Sequence, residues 1–102
     1  MRTLVCHFED MHDVHAHLNS SHTSISFLAG LRLREGEAVR LIVAVDDVRQ
    51  HCTLRVQSTS CTFNGDTLGR HTAKIPPTEG VWLKMFLSKL KTMQDFAYTR
   101  AA

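Results

Sequence analysis

Of the seven histidines, His7, His12, His15 and His17 crowd one short stretch, and the last three lie in His12-Asp13-Val14-His15-Ala16-His17. Imidazole and carboxylate are good ligands for zinc or nickel, so the first chemistry this segment suggests is metal binding. Backbone geometry decides whether such ligands converge. On a strand, Asp13, His15 and His17 line one face at period 2. On a helix, His12 and His15 share a face, while His17 lies about 140° round from His12 at roughly 100° per residue. Met11, Val14 and Leu18 stand at i, i+3 and i+7, an apolar stripe that predicts the helix. The histidines are therefore read as a solvated polar helix face, and no metal is expected.

Nucleophilic catalysis is the second chemistry to weigh. Cys6 precedes His7 and Cys52 follows His51, but neighbours on a strand point to opposite faces. No G-x-S-x-G elbow, P-loop or H-E-x-x-H motif is present. Asp46-Asp47 is read as the end of a strand rather than an acid–base pair. An enzyme is not expected. The three cysteines, Cys6, Cys52 and Cys61, have no CxxC spacing. They read as small, reduced, mostly buried thiols of a cytoplasmic protein.

The elements that position these residues come from a chain of 102 residues, 43% hydrophobic and 22% charged. That is the composition of one ordinary globular domain over 1–102, unlike a disordered or collagen-like chain. A net charge of +2 is too weak to announce nucleic acid or an anionic membrane. No apolar run approaches the roughly 20 residues needed to span a bilayer, and residues 1–10 do not read as a signal peptide. Arg32, Arg34, Arg40 and Arg55 are candidates for a basic strip across adjacent strands. Without a stacking platform they read as a solvated sheet face, and no nucleic-acid partner is expected.

Alternation over Arg2 to Phe8 predicts a strand, and Glu9 and Asp10 then favour a helix N-terminus. Polar residues from Asn19 to Ser24 break that short helix, and Ile25 to Leu31 forms a second strand. Arg34-Glu35-Gly36-Glu37 is a turn into the strand Ala38 to Asp46, whose near-continuous apolar run marks it as central. Cys52 to Phe63 returns, with Cys52, Leu54 and Val56 on one face and Arg55 and Gln57 on the other. Asn64-Gly65-Asp66 supplies a tight turn into Thr67 to Ile75. Pro76-Pro77 ends pairing, Thr78 caps a helix and Glu79 sits in its first turn. Leu83, Phe86, Leu87, Leu90, Met93 and Ala97 recur at helical spacing, with Trp82 and Met85 widening the face. The tail from Thr99 is expected to fray. The order predicts an α+β, mostly β fold: a small antiparallel β-barrel, a short N-terminal helix and a long C-terminal amphipathic helix.

Leu33 to Val45 (LREGEAVRLIVAV), Cys52 to Cys61 and Lys74 to Leu90 (KIPPTEGVWLKMFLSKL), with Leu4 to Phe8, resemble the PilZ-like family. The likeness is greatest to its short single-domain bacterial members associated with type IV pili and surface motility. Typical members bind cyclic di-GMP through an RxxxR pair in an N-terminal loop and a D/N-x-S-x-x-G turn. Asn19-Ser20-Ser21-His22-Thr23-Ser24 fits the second motif with serine in the glycine position: Asn19 and Ser21 match by position and Ser24 departs, and the three are the candidate site residues of a degenerate motif. The first motif is missing: before Arg32 the only arginine is Arg2. An arginine clamp supplies charge-assisted hydrogen bonds of about 1.5–3 kcal/mol each. Four of them would exceed most of a micromolar affinity, about 8 kcal/mol.

The resemblance thus implies a PilZ-like domain with a degraded site, weak or absent cyclic di-GMP binding, no cofactor and a protein partner. Trp82, Met85 and Phe86 on the last helix are the candidate partner surface, which would also serve a homodimer. Two alternatives stand beside this reading. One is a genuine cyclic di-GMP receptor using Asn19, Ser21 and sheet arginines; the other is a small His-rich metal-binding protein.

Overall fold

The computed structural model describes residues 1–21, 23–65 and 67–101, with side chains up to Met93. His22, Asp66, the side chain of Ala97 and the side chains from Thr99 onward, all named above, lie outside the described set. The elements are β1 (Arg2–Phe8), α1 (Met11–His17), β2 (Asn19–Ser20), β3 (Ser24–Ala29), β4 (Ala38–Val45), β5 (Gln50–Thr62), β6 (Gly69–Lys74) and α2 (Pro77–Ala101). The α2 backbone runs through to Ala101, past the point at which fraying is expected.

All six strands form one sheet in the order β1-β4-β5-β6-β3-β2. Two expectations are corrected here. The sheet is mixed rather than antiparallel, because β1 pairs parallel with β4, from Arg2 opposite Val39 to Phe8 opposite Val45. Parallel neighbours require a long crossover, and residues 9–37, carrying α1, β2 and β3, supply it. The sheet is also not closed into a ladder. The free edge of β3 is divided: β2 pairs only with Ile25 and Ser26, while β1 approaches Leu28 through a side chain.

The core follows strand parity. Leu4, Cys6 and Phe8 of β1, Val39, Leu41, Val43 and Val45 of β4, and Leu54 and Val56 of β5 point inward, joined by Ile25 and Phe27 of β3. Facing pairs such as Leu41–Leu54 and Val39–Val56 come from the antiparallel β4–β5 register. A bulge between Ser58 and Ser60 then changes parity. After it, Cys61 and Phe63 turn inward, toward His71. Asn64 and Gly65 have positive φ, 44° and 80°, so the chain turns locally where expected. Thr62 pairs with Arg70, however, and β6 begins only at Gly69, so the connection is longer than a tight two-residue hairpin.

Asp10 caps α1 by accepting the Asp13 N–H at 2.9 Å, and Asp13 accepts the Glu9 N–H in return. Met11 and Val14 are buried as the stripe predicts. The cap of α2 differs from expectation. Pro77 is its first residue and Thr78 lies inside the first turn. Proline is favoured there, since its missing N–H would lack a helical partner anyway. Glu79 accepts the Arg55 backbone N–H at 3.2 Å, tying α2 to the part of β5 that β6 leaves unpaired. Leu83 and Leu90 enter the core, and Phe86 and Leu87 pack against it.

Candidate functional site

Asn19, Ser21 and Ser24 are brought together, but as a turn. Asn19 pairs with Ser26 across β2 and β3. Ser21 Oγ accepts the Ser24 N–H at 3.2 Å and lies 3.1 Å from Ser24 Oγ, while the Ser21 N–H donates to the Ser24 carbonyl at 2.8 Å. Hydroxyls of this kind stabilise a turn by replacing missing backbone partners. Beside the turn, Ser20 and Ser21 border a groove of about 340 Å³ shared with Gly80, Leu83, Lys84 and Leu87 of α2.

The histidines are distributed, not converged. His17 Nδ1 lies 2.8 Å from Asp13 Oδ1 within α1, and His7 Nδ1 lies 3.3 Å from Asp46 Oδ1 at the end of β1. The Glu9 N–H, and then His17, hold the Asp13 carboxyl below its ordinary value. His12 and His15 are exposed. Among the described residues, no group of three His, Cys, Asp or Glu side chains gathers as a metal would need.

Of the candidate partner residues on α2, Trp82 and Met85 are exposed, at 60% and 58% of their surface. Phe86 does not belong with them. It packs partly against the core, because its position follows Leu83 by three residues on the inward face. Val81, not singled out in the sequence, completes the exposed strip.

The arginines divide into two groups. Arg40 and Arg55 stand directly opposite each other in the β4–β5 register, both exposed. Arg32 and Arg34 lie instead on the β3–β4 connection, where Arg2 joins them around a cleft of about 540 Å³ that also includes Leu33 and Glu37. Arg2 grips Glu37 with two hydrogen bonds of 2.6 Å and donates a third, at 2.9 Å, to the Arg32 carbonyl. The Arg34 N–H also donates to Glu37. Arg2 first, and this N–H second, lower the Glu37 carboxyl to about 2. Arg32 lays its guanidinium 4.4 Å from the centre of the Phe63 ring, a cation–π contact.

Sequence reading misses the part Arg2 plays. Its proximity to Glu37 follows from the parallel pairing of Arg2 with Val39, a contact that no local pattern announces. Chemically, the cleft sets one carboxylate against three guanidinium groups, a surplus suited to binding an anion. No protein-family model, curated protein or solved structure matches the chain. Among the described residues, no helix is long and apolar enough to cross a membrane.

Proposed function

We propose that this chain is a small PilZ-like protein-interaction adaptor that docks its partner on α2. The observation carrying this reading is the exposure of Val81, Trp82 and Met85 on a helix already anchored by Leu83 and Leu90. Tryptophan and methionine are enriched in interface cores, where a few large side chains dominate binding. Lys84 and Lys89 give the strip a polar rim.

The bacterial pilus or motility setting comes from the sequence resemblance. A curled sheet with α2 packed on its core and tied to β5 suits a PilZ-like domain, and the engagement of Ser21 and Ser24 in their own turn suits weak or absent cyclic di-GMP binding. Trp82→Ala with Met85→Ala tests the adaptor reading. Both side chains are more than half exposed, so stability should change by no more than about 0.5 kcal/mol. A partner retained by the wild type and lost by the variant, or a dimer mass that falls to a monomer, supports the α2 face. Undiminished binding and mass would count against it. Calorimetric titration with cyclic di-GMP tests the other half of the reading, and low-micromolar binding would favour a receptor instead.

A further inference from the structure

We propose that the arginine cleft docks an acidic segment of a protein partner, with Arg32 and Arg34 as the recognition pair and Arg2 as a positioning residue. This surface is separate from the exposed strip on α2 and does not depend on it.

The modest net charge of +2 conceals a polarised domain. Glu9, Asp10, Asp13, Asp46 and Asp47 gather where β1 and β4 end. Arg2, Arg32 and Arg34 gather where the same two strands begin. Among the described residues, Glu37 is the one carboxylate lining the cleft, and Arg2 already binds both of its oxygens; Glu35, beside Arg34, lines the groove on the other side of Gly36. Among the described residues, no carboxylate pairs with the guanidinium of Arg32 or Arg34. Across the neighbouring sheet face, Arg40 and Arg55 stand opposite each other, with the Glu79 carboxylate at the Arg55 backbone N–H. Charge complementarity therefore calls for an acidic occupant.

The supports of these guanidinium groups favour a peptide over a nucleotide. Arg2 is turned toward Glu37, while Arg32 lies on Phe63. Their charge is spread over separately held groups, which suits carboxylates spaced along a flexible chain. A base is held best where an open aromatic face lies beside the cationic groups. Phe63 offers none at the cleft, because Arg32 covers it while His71 meets the ring edge-to-face at 5.9 Å. The planar forks of Arg32 and Arg34 remain able to take carboxylates in bidentate fashion.

Fluorescence anisotropy of a labelled hexaglutamate peptide with the full chain at low salt tests the proposal. Arg32→Glu with Arg34→Glu should weaken binding by about tenfold or more. Lys84→Glu with Lys89→Glu makes the same change in net charge on α2 and should weaken it by less than about twofold. Arg34→Glu alone leaves the Arg32–Phe63 contact in place. It should retain the thermal midpoint of the wild type and still weaken binding by about threefold or more. Equal losses in the arginine and lysine variants would overturn the proposal, since they would mark nonspecific attraction. So would a six-residue oligothymidylate that binds more tightly than hexaglutamate and loses that binding in the arginine variant.

Discussion

Cys6 Sγ lies 3.6 Å from the carbonyl oxygen of Leu28, where β1 faces β3 without a backbone ladder. Nearer the start of β1, Arg2 donates to the Arg32 carbonyl at 2.9 Å. Side-chain donors on β1 thus meet main-chain acceptors on β3 and on the connection that follows it, and hold the curled sheet together at its open seam. The thiol is buried, and burial pushes its pKa up to about 11, because a thiolate would lose solvation there.

The three thiols should therefore react in a set order. Cys6 is buried, while Cys52 and Cys61 are only partly so. At pH 8, iodoacetamide followed by mass spectrometry should label Cys6 last, and to completion only after unfolding. Early modification of Cys6 in the native protein would show that the seam opens more readily than its contacts imply.

Glu37 predicts the behaviour in acid. Its carboxyl is lowered from 4.5 to about 2, mainly by Arg2. The folded state therefore holds the charged form more tightly than the unfolded chain does. Its contribution to stability is present above about pH 4.5 and is lost as pH falls toward about 2. Urea midpoints measured across this range should fall more steeply for the wild type than for Glu37→Gln, and the variant should be the less stable at pH 7. Parallel curves would mean that the Arg2–Glu37 pair is open in solution.

Local features of this fold were legible in the sequence, whereas long-range ones were not. The Met11, Val14 stripe, the alternation of β4 and the Asn64-Gly65 turn each follow from patterns within a few residues. The parallel partnership of β1 and β4 joins Arg2 to Val39 across the whole crossover, so alternation could place Leu4 inward without naming its neighbour. The bulge near Ser58 was equally silent, since Ser-Thr-Ser continues the polar spacing of β5 while the backbone changes parity. Those two features account for the missed site. One brings Arg2 to Glu37, and the other turns Phe63 inward beneath Arg32.

His71 should set the response between neutral and mildly acidic pH. Its ring has no exposed surface, stacks on Phe27 at 5.2 Å, and leaves Nδ1 without a partner among the described residues, while Nε2 lies 3.3 Å from the Ala29 carbonyl. Burial lowers its pKa below 6.5, the Ala29 contact acting weakly in the opposite sense. Below pH 6.5 the unfolded chain binds the proton more readily, so this contribution to stability is full above that pH and declines as pH falls. His71→Phe keeps an aromatic ring and should change stability at pH 7.5 by less than about 1.5 kcal/mol. It should also remove the decline, as thermal midpoints between pH 7.5 and 5 would reveal. His71→Ala leaves a cavity and should cost about 3–5 kcal/mol.

Gly69 predicts how tightly the arginine cleft is coupled to the core. A Cβ at this position would fall 2.5, 2.6 and 2.8 Å from carbons of the Phe63 ring. That ring is confined by His71 on one side and by Arg32 at 4.4 Å on another. Gly69→Ala must displace it, at a cost of about 1–3 kcal/mol from overpacking. Gly30→Ala is the control, since its nearest contact, the Thr67 carbonyl oxygen, lies at 3.5 Å, and it should change stability by no more than about 0.5 kcal/mol. Phe63→Leu in the Gly69→Ala background should recover part of the loss, giving a coupling of about 0.5 kcal/mol or more in a double-mutant cycle. Because Arg32 rests on the displaced ring, Gly69→Ala should also weaken hexaglutamate binding while Gly30→Ala does not. Urea midpoints and anisotropy on five proteins (wild type, Gly69→Ala, Phe63→Leu, their double variant and Gly30→Ala) check both effects, and a Gly69→Ala variant with wild-type values in each would show that Phe63 moves aside freely.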